Sequence, residues 1–338
     1  MTDALWGPVE LGKPVLADLV RSAPVQRLRG INQAGAGFYL FPEQRRSTRF
    51  EHSIGVMGLL SLLGAPLEER VAGLLHDVSH TAFSHTADVV FPNDEHNYHE
   101  RFHEAVIMQS GVPGILQRHG VPLRAALEPA LYPYLEQPLP DLCADRVDYA
   151  LRDALALGKI TPDQALEFVG HIVRGSAPLV VDSVEAALRF ALLFEDLNDE
   201  LWANLNDAGA YWALAGAIRR AFDTGDMSEQ DLFLDDEQAM STLRASNDPL
   251  VQAYLRLLTP GTRFYHANDH GPYFSTHMKN RSIDPLVLAP GTSRQPRLSE
   301  VSADFAAHVA TRPAGKKITY KLWSDSIDPI LRAEISGD

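Results

Sequence analysis

The spacing of apolar residues predicts helices along most of this chain. Residues 53–63 carry a broad apolar stripe with helical periodicity. Pro66 begins a second helix, which ends near His76 and Asp77. Because a short connection favours antiparallel packing, His52 at the start of the first helix should lie close to His76 and Asp77.

The rest of the first 260 residues follows the same pattern and predicts a mainly α fold. Further helices are predicted at residues 13–29, 99–108, 127–134, in the segment that begins with Asp145, at 162–169 and 184–222, and twice within 228–258. A short strand is predicted at residues 38–41, and a strand or extended link at 178–181.

The pattern changes after Pro260. Strand-like runs at 262–266, 283–289 and 317–321 surround one helix at 300–310. We therefore predict a helical domain at residues 1–260 and a small α+β region at 261–338 packed on it.

Composition narrows the functional classes. The net charge of −14 argues against binding of a nucleic-acid polymer. Cys143 is the only cysteine, which excludes an internal disulfide and fits a reducing compartment. The first residues lack the basic start and apolar core of a signal peptide, and no apolar run is long enough to cross a membrane. We expect a cytoplasmic protein with no membrane partner.

Histidines are concentrated in one stretch, between Arg49 and His103. Seven of the thirteen in the chain lie there, namely His52, His76, His80, His85, His96, His99 and His103. Histidine is the commonest metal ligand and titrates near neutral pH, so this density favours a reactive site over packing. We interpret His96 and His103 as surface or outer-layer residues.

A metal site follows from the predicted meeting of His52, His76 and Asp77. Imidazole and carboxylate together suit a divalent transition metal such as Fe, Mn, Zn or Ni better than Ca or Mg. The segment that begins at Asp145 offers the further carboxylate. In the alternative, His52 caps a helix and Asp77 pairs with an arginine. His99 and His103 also form the H-E-x-x-H pattern of zinc proteases, but that site would leave the other ligands unexplained.

Because the protein carries a net negative charge, an anionic ligand would need a local pocket of positive charge. Arg45, Arg46 and Arg49 precede His52, while Arg146 and Arg152 follow Asp145. With a bound cation, these arginines are expected to form that pocket.

The ordered set of His52, His76-Asp77 and Asp145 resembles the HD-domain metal-dependent phosphohydrolases, an all-helical family. The likeness is greatest to the deoxynucleoside triphosphate triphosphohydrolase branch. It begins at residues 25–42 and continues through R-F-E-H-S, H-D-V-S-H-T-A-F-S-H and R-V-D-Y-A-L-R-D. It returns weakly at K-N-R-S-I-D-P-L-V, residues 279–287.

The resemblance implies catalytic roles for the residues after the HD pair. His85 would protonate the leaving oxygen, with Asp88 orienting its ring and His99 and His80 beside it. A structural role remains the alternative, in which one of these histidines only bridges a loop to a helix. Magnesium bound with the substrate phosphates is a second possible metal.

The resemblance also implies substrate contacts. Arg49 would bind the α-phosphate, and Arg146 stands where family members often carry a lysine. Tyr149 and Asp153 share a helix face with Asp145 and would hold the deoxyribose, unless they only pack or pair with a basic residue. Gln33 would contact the sugar 3′-hydroxyl or simply cap a turn.

One departure from the family concerns Leu205 and Asn206, which align where relatives present a tyrosine and a glutamine to the sugar and base. Base and sugar selectivity therefore stay open. The sequence predicts hydrolysis of a deoxynucleoside triphosphate to nucleoside and tripolyphosphate. The alternatives are a phosphohydrolase acting on a nucleoside monophosphate or on a cyclic or pyrophosphate ester, and a nucleotide-binding regulator without turnover. Because relatives form dimers or tetramers, we expect a homo-oligomer by analogy.

Overall fold

Helices make up most of the computed structural model, which describes residues 1–92, 97–175, 178–267, 273–288, 294–312 and 314–336. The mainly α class is confirmed. The α-helices are α1 (Pro14–Val20), α2 (Ala23–Arg27), α3 (Arg49–Leu62), α4 (Leu67–Leu75), α5 (Thr86–Val90), α6 (His103–Met108), α7 (Val112–Arg118), α8 (Arg124–Leu127), α9 (Ala144–Ala156), α10 (Pro162–Gly170), α11 (Val184–Leu197), α12 (Leu205–Thr224), α13 (Asp236–Ala245), α14 (Pro249–Arg256), α15 (Leu298–Val301), α16 (Ala303–Thr311) and α17 (Pro329–Ser336).

Short strands form three small sheets. The strands are β1 (Thr2–Asp3), β2 (Gly7–Pro8), β3 (Val180–Val181), β4 (Tyr265–His266), β5 (Phe274–Lys279), β6 (Leu286–Val287) and β7 (Lys317–Trp323). β1 pairs antiparallel with β2, and β3 pairs parallel with β6. The third sheet is antiparallel in the order β4-β7-β5, with Phe274 opposite Leu322 and Lys279 opposite Lys317.

Two hydrophobic cores hold these elements. The first contains buried residues of α3, α4, α9 and α11, and the second is built around α12, α13 and α14. The C-terminal region contributes to both cores, with Ile283, Val287, Leu298 and Phe305 in the first and Phe264, Phe274, Leu322, Ile327 and Leu331 in the second. The division at residue 260 stays a prediction.

Helix α3 begins four residues earlier than its apolar stripe indicated. Thr48 and Glu51 form a capping box, in which the Thr48 side chain accepts from the Glu51 N–H and the Glu51 carboxylate accepts from the Thr48 N–H. Gly55 then lets α3 approach α9 closely, because a Cβ there would collide with the side chains of Arg152 and Asp148. This approach brings His52 to the start of α9.

Several predicted elements differ in the structure. The strand expected at residues 38–41 belongs to a 3₁₀ turn (Gly35–Tyr39), which Gly35 enters with a φ of +54°. The helix expected at 13–29 is divided between α1 and α2, and that expected at 184–222 is divided by a π-helical turn (Asn198–Trp202). The helix expected at 127–134 is a 3₁₀ turn (Pro129–Leu131). Strand β5 was not predicted, because its polar sequence F-S-T-H-M-K has no clear apolar alternation.

Among the described residues, none of the helices combines the length and the apolar character that crossing a bilayer requires.

Candidate metal centre and active site

Three helices bring the four predicted metal ligands together. His52 lies in the first turn of α3, His76 and Asp77 directly follow α4, and Asp145 lies in the first turn of α9. Nε2 of His52 is 2.9 Å from Oδ1 of Asp145, and Nε2 of His76 is 3.6 Å from the same oxygen. Oδ1 of Asp77 is 3.4 Å from Nε2 of His76. Ligand atoms of His52, His76 and Asp145 all lie within 4.8 Å of one another, close enough to share one cation, and Asp77 adjoins this group beside His76.

The imidazole hydrogen bonds support this interpretation. Nδ1 of His76 donates to the carbonyl of Gly73 at 2.8 Å, and its Nε2 is buried without a hydrogen-bond partner. Nδ1 of His52 is 2.8 Å from Oδ2 of Asp148. With both rings anchored through Nδ1, each directs Nε2 at the carboxylates, which is how histidine binds a metal. The residues present therefore fit a divalent transition metal.

The electrostatic field at this point also favours positive charge. Burial opposes a charged imidazole at His52, but the hydrogen bonds to Asp145 and Asp148 outweigh it and raise the pKa of His52 to about 10. The carboxylates thus stabilise a proton in the position where a divalent cation would neutralise them.

Asp148 was not singled out in the sequence, yet it orients His52. Its carboxylate is fully buried and also accepts from Trp6 Nε1 at 2.6 Å and from Arg152 at 2.9 Å. Arg152 in turn lies 3.1 Å from Oδ2 of Asp3. A carboxylate that fixes the far nitrogen of a ligand histidine tunes its basicity. The available signal was its position three residues after Asp145, on the same side of α9.

Arg49 joins the metal site to the loop that follows it. Its Nη1 donates to Oδ2 of Asp77 at 2.6 Å, and its Nε donates to the Ser84 hydroxyl at 2.9 Å. Burial opposes ionisation of Asp77, but Arg49 and the neighbouring imidazoles hold its pKa below the ordinary value. Asp77 is therefore a carboxylate shared between an arginine and the proposed metal.

The remaining predicted catalytic residues form one cluster beside Asp77. Nδ1 of His85 donates to Oδ2 of Asp88 at 2.9 Å. The rings of His80 and His99 stack at 3.6 Å, and the ring of His85 lies edge-on, 5.1 Å from that of His80. Burial and the neighbouring His85 lower the pKa of His99 to about 3, while burial and Arg49 lower that of His80. His80 and His99 are consequently neutral at pH 7.

A strained loop carries this cluster, because Phe83 and Ser84 have φ values of 62° and 51°. The carboxylate of Asp236, at the start of α13, accepts from the N–H of Phe83 at 2.7 Å and from the N–H of Asn32 at 2.9 Å. Ser84 also donates to the carbonyl of Asn32 at 2.7 Å. Asp236 therefore connects the His85 loop to the turn that holds Gln33.

One cavity of about 600 Å³ is lined by the four predicted metal ligands together with Arg49, His80, His85 and His99. Its walls also include Gln33, whose buried amide oxygen has no hydrogen-bond partner, and Tyr149. Asp153 is part of the same wall and accepts from Trp202 Nε1 at 2.7 Å. The structure thus brings together every residue predicted for substrate binding, and their roles stay predictions.

The cations around the cavity differ from those expected. Arg45, Arg49 and Arg146 line it, but Arg46 is exposed beside Glu43 and Arg152 is buried against Asp148. The assignment of Arg46 and Arg152 to the pocket was wrong, because both form ion pairs with nearby carboxylates instead. Lys279 and Arg281 line the cavity as well. Their segment, K-N-R-S-I-D-P-L-V, was noted in the sequence without a role.

Helix α12 presents Asp207 and Tyr211 to the cavity rather than Leu205 and Asn206. The Asn206 side chain accepts from the N–H of Phe264, so the alignment that placed it at the substrate was wrong. Asp207 forms a buried ion pair with Arg45, and burial raises the pKa of Tyr211 to about 12.

The predicted positions of His96 and His103 can be compared with the structure only for His103. His103 is not at the surface, because its side chain is buried and its Nε2 donates to the Ala126 carbonyl at 2.7 Å; of the two predicted positions, the one behind the ligand residues remains. His96 lies outside the described residues.

Comparison with known proteins agrees with this geometry. Residues 49–150 match the family model of the HD domain. The "Uncharacterized protein YdhJ" of Bacillus subtilis is 42% identical over 289 residues, covering 85% of this chain and 88% of the relative. Human deoxynucleoside triphosphate triphosphohydrolase SAMHD1 is 30% identical over 176 residues, covering 41% of this chain and 28% of the relative.

A solved structure has the same fold. The crystal structure of a phosphohydrolase from Bacteroides thetaiotaomicron covers 95% of this chain and 98% of its own, with a TM-score of 0.68 and 18% identity. The metal-dependent phosphohydrolase cns2 of Cordyceps militaris is 34% identical over 308 residues, covering 88% of each protein. Together with the clustered HD ligands, this relationship shows that the chain belongs to the HD-domain family of metal-dependent phosphohydrolases.

Proposed function

We propose that this phosphohydrolase acts on a deoxynucleoside triphosphate and releases the deoxynucleoside and tripolyphosphate. The observation that carries the proposal is the shared cavity, which is lined by the HD ligands, by His85 and by the wall of Gln33, Tyr149 and Asp153. A volume of about 600 Å³ is in the range of small-molecule sites. The partial similarity to SAMHD1 supports the same substrate class.

His52, His76, Asp77 and Asp145 would hold the metal. A bound divalent metal would polarise a phosphoryl oxygen and acidify a bound water. Arg49 contributes beside it, because Asp77 and Ser84 fix its guanidinium at the cavity wall and leave further N–H donors for the α-phosphate.

The proton donor is His85. Its neighbours His80 and His99 are kept neutral at pH 7, as their lowered pKa values require. The hydrogen bond from Nδ1 to Asp88 fixes the orientation of the His85 ring and leaves Nε2 to donate to the departing 5′-oxygen.

The wall formed by Gln33, Tyr149 and Asp153 would hold the deoxyribose. The unpartnered amide oxygen of Gln33 can accept from a sugar hydroxyl. The ring of Tyr149 is held in place by edge-on contact with Trp202 at 5.1 Å, so an additional 2′-hydroxyl would meet a fixed surface.

Product analysis tests the proposal. Metal-loaded protein is incubated with deoxynucleoside triphosphates, ribonucleoside triphosphates and nucleoside monophosphates, and the products are separated by anion-exchange chromatography. We expect inorganic tripolyphosphate and deoxynucleoside in equal amounts. Orthophosphate alone, released from a monophosphate, would instead identify a phosphomonoesterase of the same fold.

The Asp77→Ala variant tests the assigned metal site. Removing this carboxylate takes away one ligand and leaves Arg49 unpaired, so both bound metal and turnover should be lost. Metal content by elemental analysis and product release are measured on the same sample. An active variant without metal would refute the mechanism, and a metal-loaded wild-type protein without turnover would indicate a regulator.

A further inference from the structure

The C-terminal region places two positive side chains in the cavity wall. Lys279 ends strand β5, and Arg281 follows it two residues later. Both side chains are half-buried. Within the residues that the structure describes, neither side chain forms an ion pair or a hydrogen bond, whereas Arg45 and Arg49 in the same wall are bound to Asp207 and Asp77. Half-buried cations without a carboxylate partner in a cavity wall are available to bind an anionic ligand.

Arg146 adds a third cation, to which no carboxylate among the described residues binds directly. Its guanidinium donates to the carbonyls of Asp141 and Gln137, which hold its position without neutralising its charge. Glu136 also lines the cavity and attracts Arg146 electrostatically. Burial lowers the pKa of Lys279, and Arg281 and Arg146 lower it further, so the three cations lie close enough to repel one another.

The backbone between Lys279 and Arg281 is fixed. Asn280 is buried, and its side-chain oxygen accepts from Asn198 at 3.1 Å. The Asn198 side chain accepts in turn from the Arg281 N–H at 2.8 Å, and the Asn280 N–H donates to the Lys316 carbonyl at 2.8 Å. The π-helical turn at the end of α11 therefore fixes the backbone from which both side chains extend before any ligand binds.

We propose that Lys279 and Arg281, with Arg146, form the subsite for the outer phosphates of a polyphosphate ligand. Arg49 binds the metal ligand Asp77, whereas Lys279 and Arg281 belong to the part of the cavity wall that the C-terminal region supplies, so a single phosphate held by Arg49 and the metal should depend little on them. A tripolyphosphate chain has both the length and the charge to engage both parts. The inference rests on the proposed function, because it assigns the phosphates beyond the one that reacts.

Calorimetric titration of metal-loaded protein with inorganic tripolyphosphate, and separately with orthophosphate, tests this subsite. Lys279→Gln and Arg281→Gln should each weaken tripolyphosphate binding about tenfold, the loss of one charge-assisted contact. Orthophosphate binding should change by less than about threefold, within the size of a weak surface contact. Arg281→Lys keeps the charge and should retain most of the affinity.

The matched controls are Lys321→Gln and Arg332→Gln, which remove exposed charges of the C-terminal region outside the cavity. They should leave both affinities unchanged. Equal losses for the two anions, unchanged tripolyphosphate binding in the cavity variants, or a wild-type protein that binds tripolyphosphate no better than orthophosphate would each overturn the inference.

The binding measurement is independent of turnover. A protein that binds tripolyphosphate through Lys279 and Arg281 but releases none from a deoxynucleoside triphosphate would refute the proposed function and leave the subsite intact. The reverse result would be release of tripolyphosphate from a deoxynucleoside triphosphate, with Lys279→Gln and Arg281→Gln binding tripolyphosphate as well as the wild-type protein. It would support the proposed function and refute the subsite.

Discussion

At the scale of single residues, the metal site depends on groups that do not themselves face the cation. His52 offers its Nε2 because Asp148 holds its Nδ1, and Asp148 is held by Trp6 and Arg152. The orientation of this metal ligand therefore depends on buried charged residues that do not contact the metal themselves.

Asp148→Asn is the sharpest test of that arrangement. An amide in place of the carboxylate no longer stabilises the donating Nδ1 tautomer, so metal affinity should fall by about tenfold to hundredfold. Competition with a metal-binding dye measures it. Asp182→Asn removes a similar hydrogen bond, to Nδ1 of His171 at 2.7 Å on the surface, and should leave metal affinity unchanged. Equal effects of the two variants would contradict the role given to Asp148.

His103 gives a prediction about stability and pH. Burial lowers its pKa in the folded state below the value of about 6.5 that it has when unfolded. The unfolded chain therefore binds more protons between those values, so the free energy of unfolding decreases as the pH falls through 6.5. His103→Gln should lose less stability between pH 7.5 and pH 5.5 than the wild-type protein, measured by urea unfolding at fixed metal concentration. A steeper loss in the variant would contradict this account.

Much of the site could be predicted residue by residue, because its ligands stand next to sequence signals. His76-Asp77 is adjacent in the chain, and Asp145 opens a helix. Asp148, Asp207 and Lys279 could not be identified in this way. Their roles arise from pairing with Trp6, Arg45 and the cavity, at separations that a helical pattern does not encode.

At the scale of elements, the loop that carries His85 is held by residues outside the HD segment. Asp236 binds the backbone of Phe83 and Asn32, and the N–H of Ala82 donates to the Leu232 carbonyl at 2.7 Å. Positive φ values at Phe83 and Ser84 are unfavourable and persist only under such restraint.

Asp236→Asn should therefore misplace His85 without removing the metal. One of the two N–H groups would face an amide donor, and a displacement of the general acid by about 1 Å can reduce kcat by up to about a hundredfold. Steady-state kinetics and metal content are measured together. Asp235→Asn, which keeps an N-cap side chain for α13, is the control and should change kcat little. A loss of metal equal to the loss of kcat would show that Asp236 only stabilises the fold.

Element boundaries explain the remaining differences from the sequence prediction. The capping box at Thr48 starts α3 ahead of its apolar stripe, and the helix expected at 184–222 is interrupted by the turn that anchors Asn280. Strand β5 exists because it pairs with β7, a long-range contact that its own polar sequence does not reveal.

At the scale of the whole molecule, the C-terminal region contributes buried residues to both hydrophobic cores. Its buried side chains fill parts of both cores, and its strand β5 supplies the cavity wall that carries Lys279. The sequence indicated the change from helical to strand-like patterns near residue 260. It did not indicate that residues on both sides of this point share the same cores.

A fragment of residues 1–260 should consequently fail to fold by itself. It loses Phe264, Phe305 and Leu322 among other buried residues, and each fully buried large apolar side chain contributes about 1.5–3 kcal/mol. A typical domain is stable by only about 5–15 kcal/mol. Near-ultraviolet circular dichroism and thermal melting compare the fragment with the full chain. A cooperative melt of the fragment would show that the helical part is an independent domain.

The chain of contacts from Asp3 through Arg152 and Asp148 to His52 links the amino-terminal strand to the imidazole that faces the cation. Loss of the Asp3 carboxylate would leave Arg152 with Asp148 alone, so a change in this strand can alter how His52 is held. A purification handle placed beside this strand should therefore be removed before metal loading is assayed.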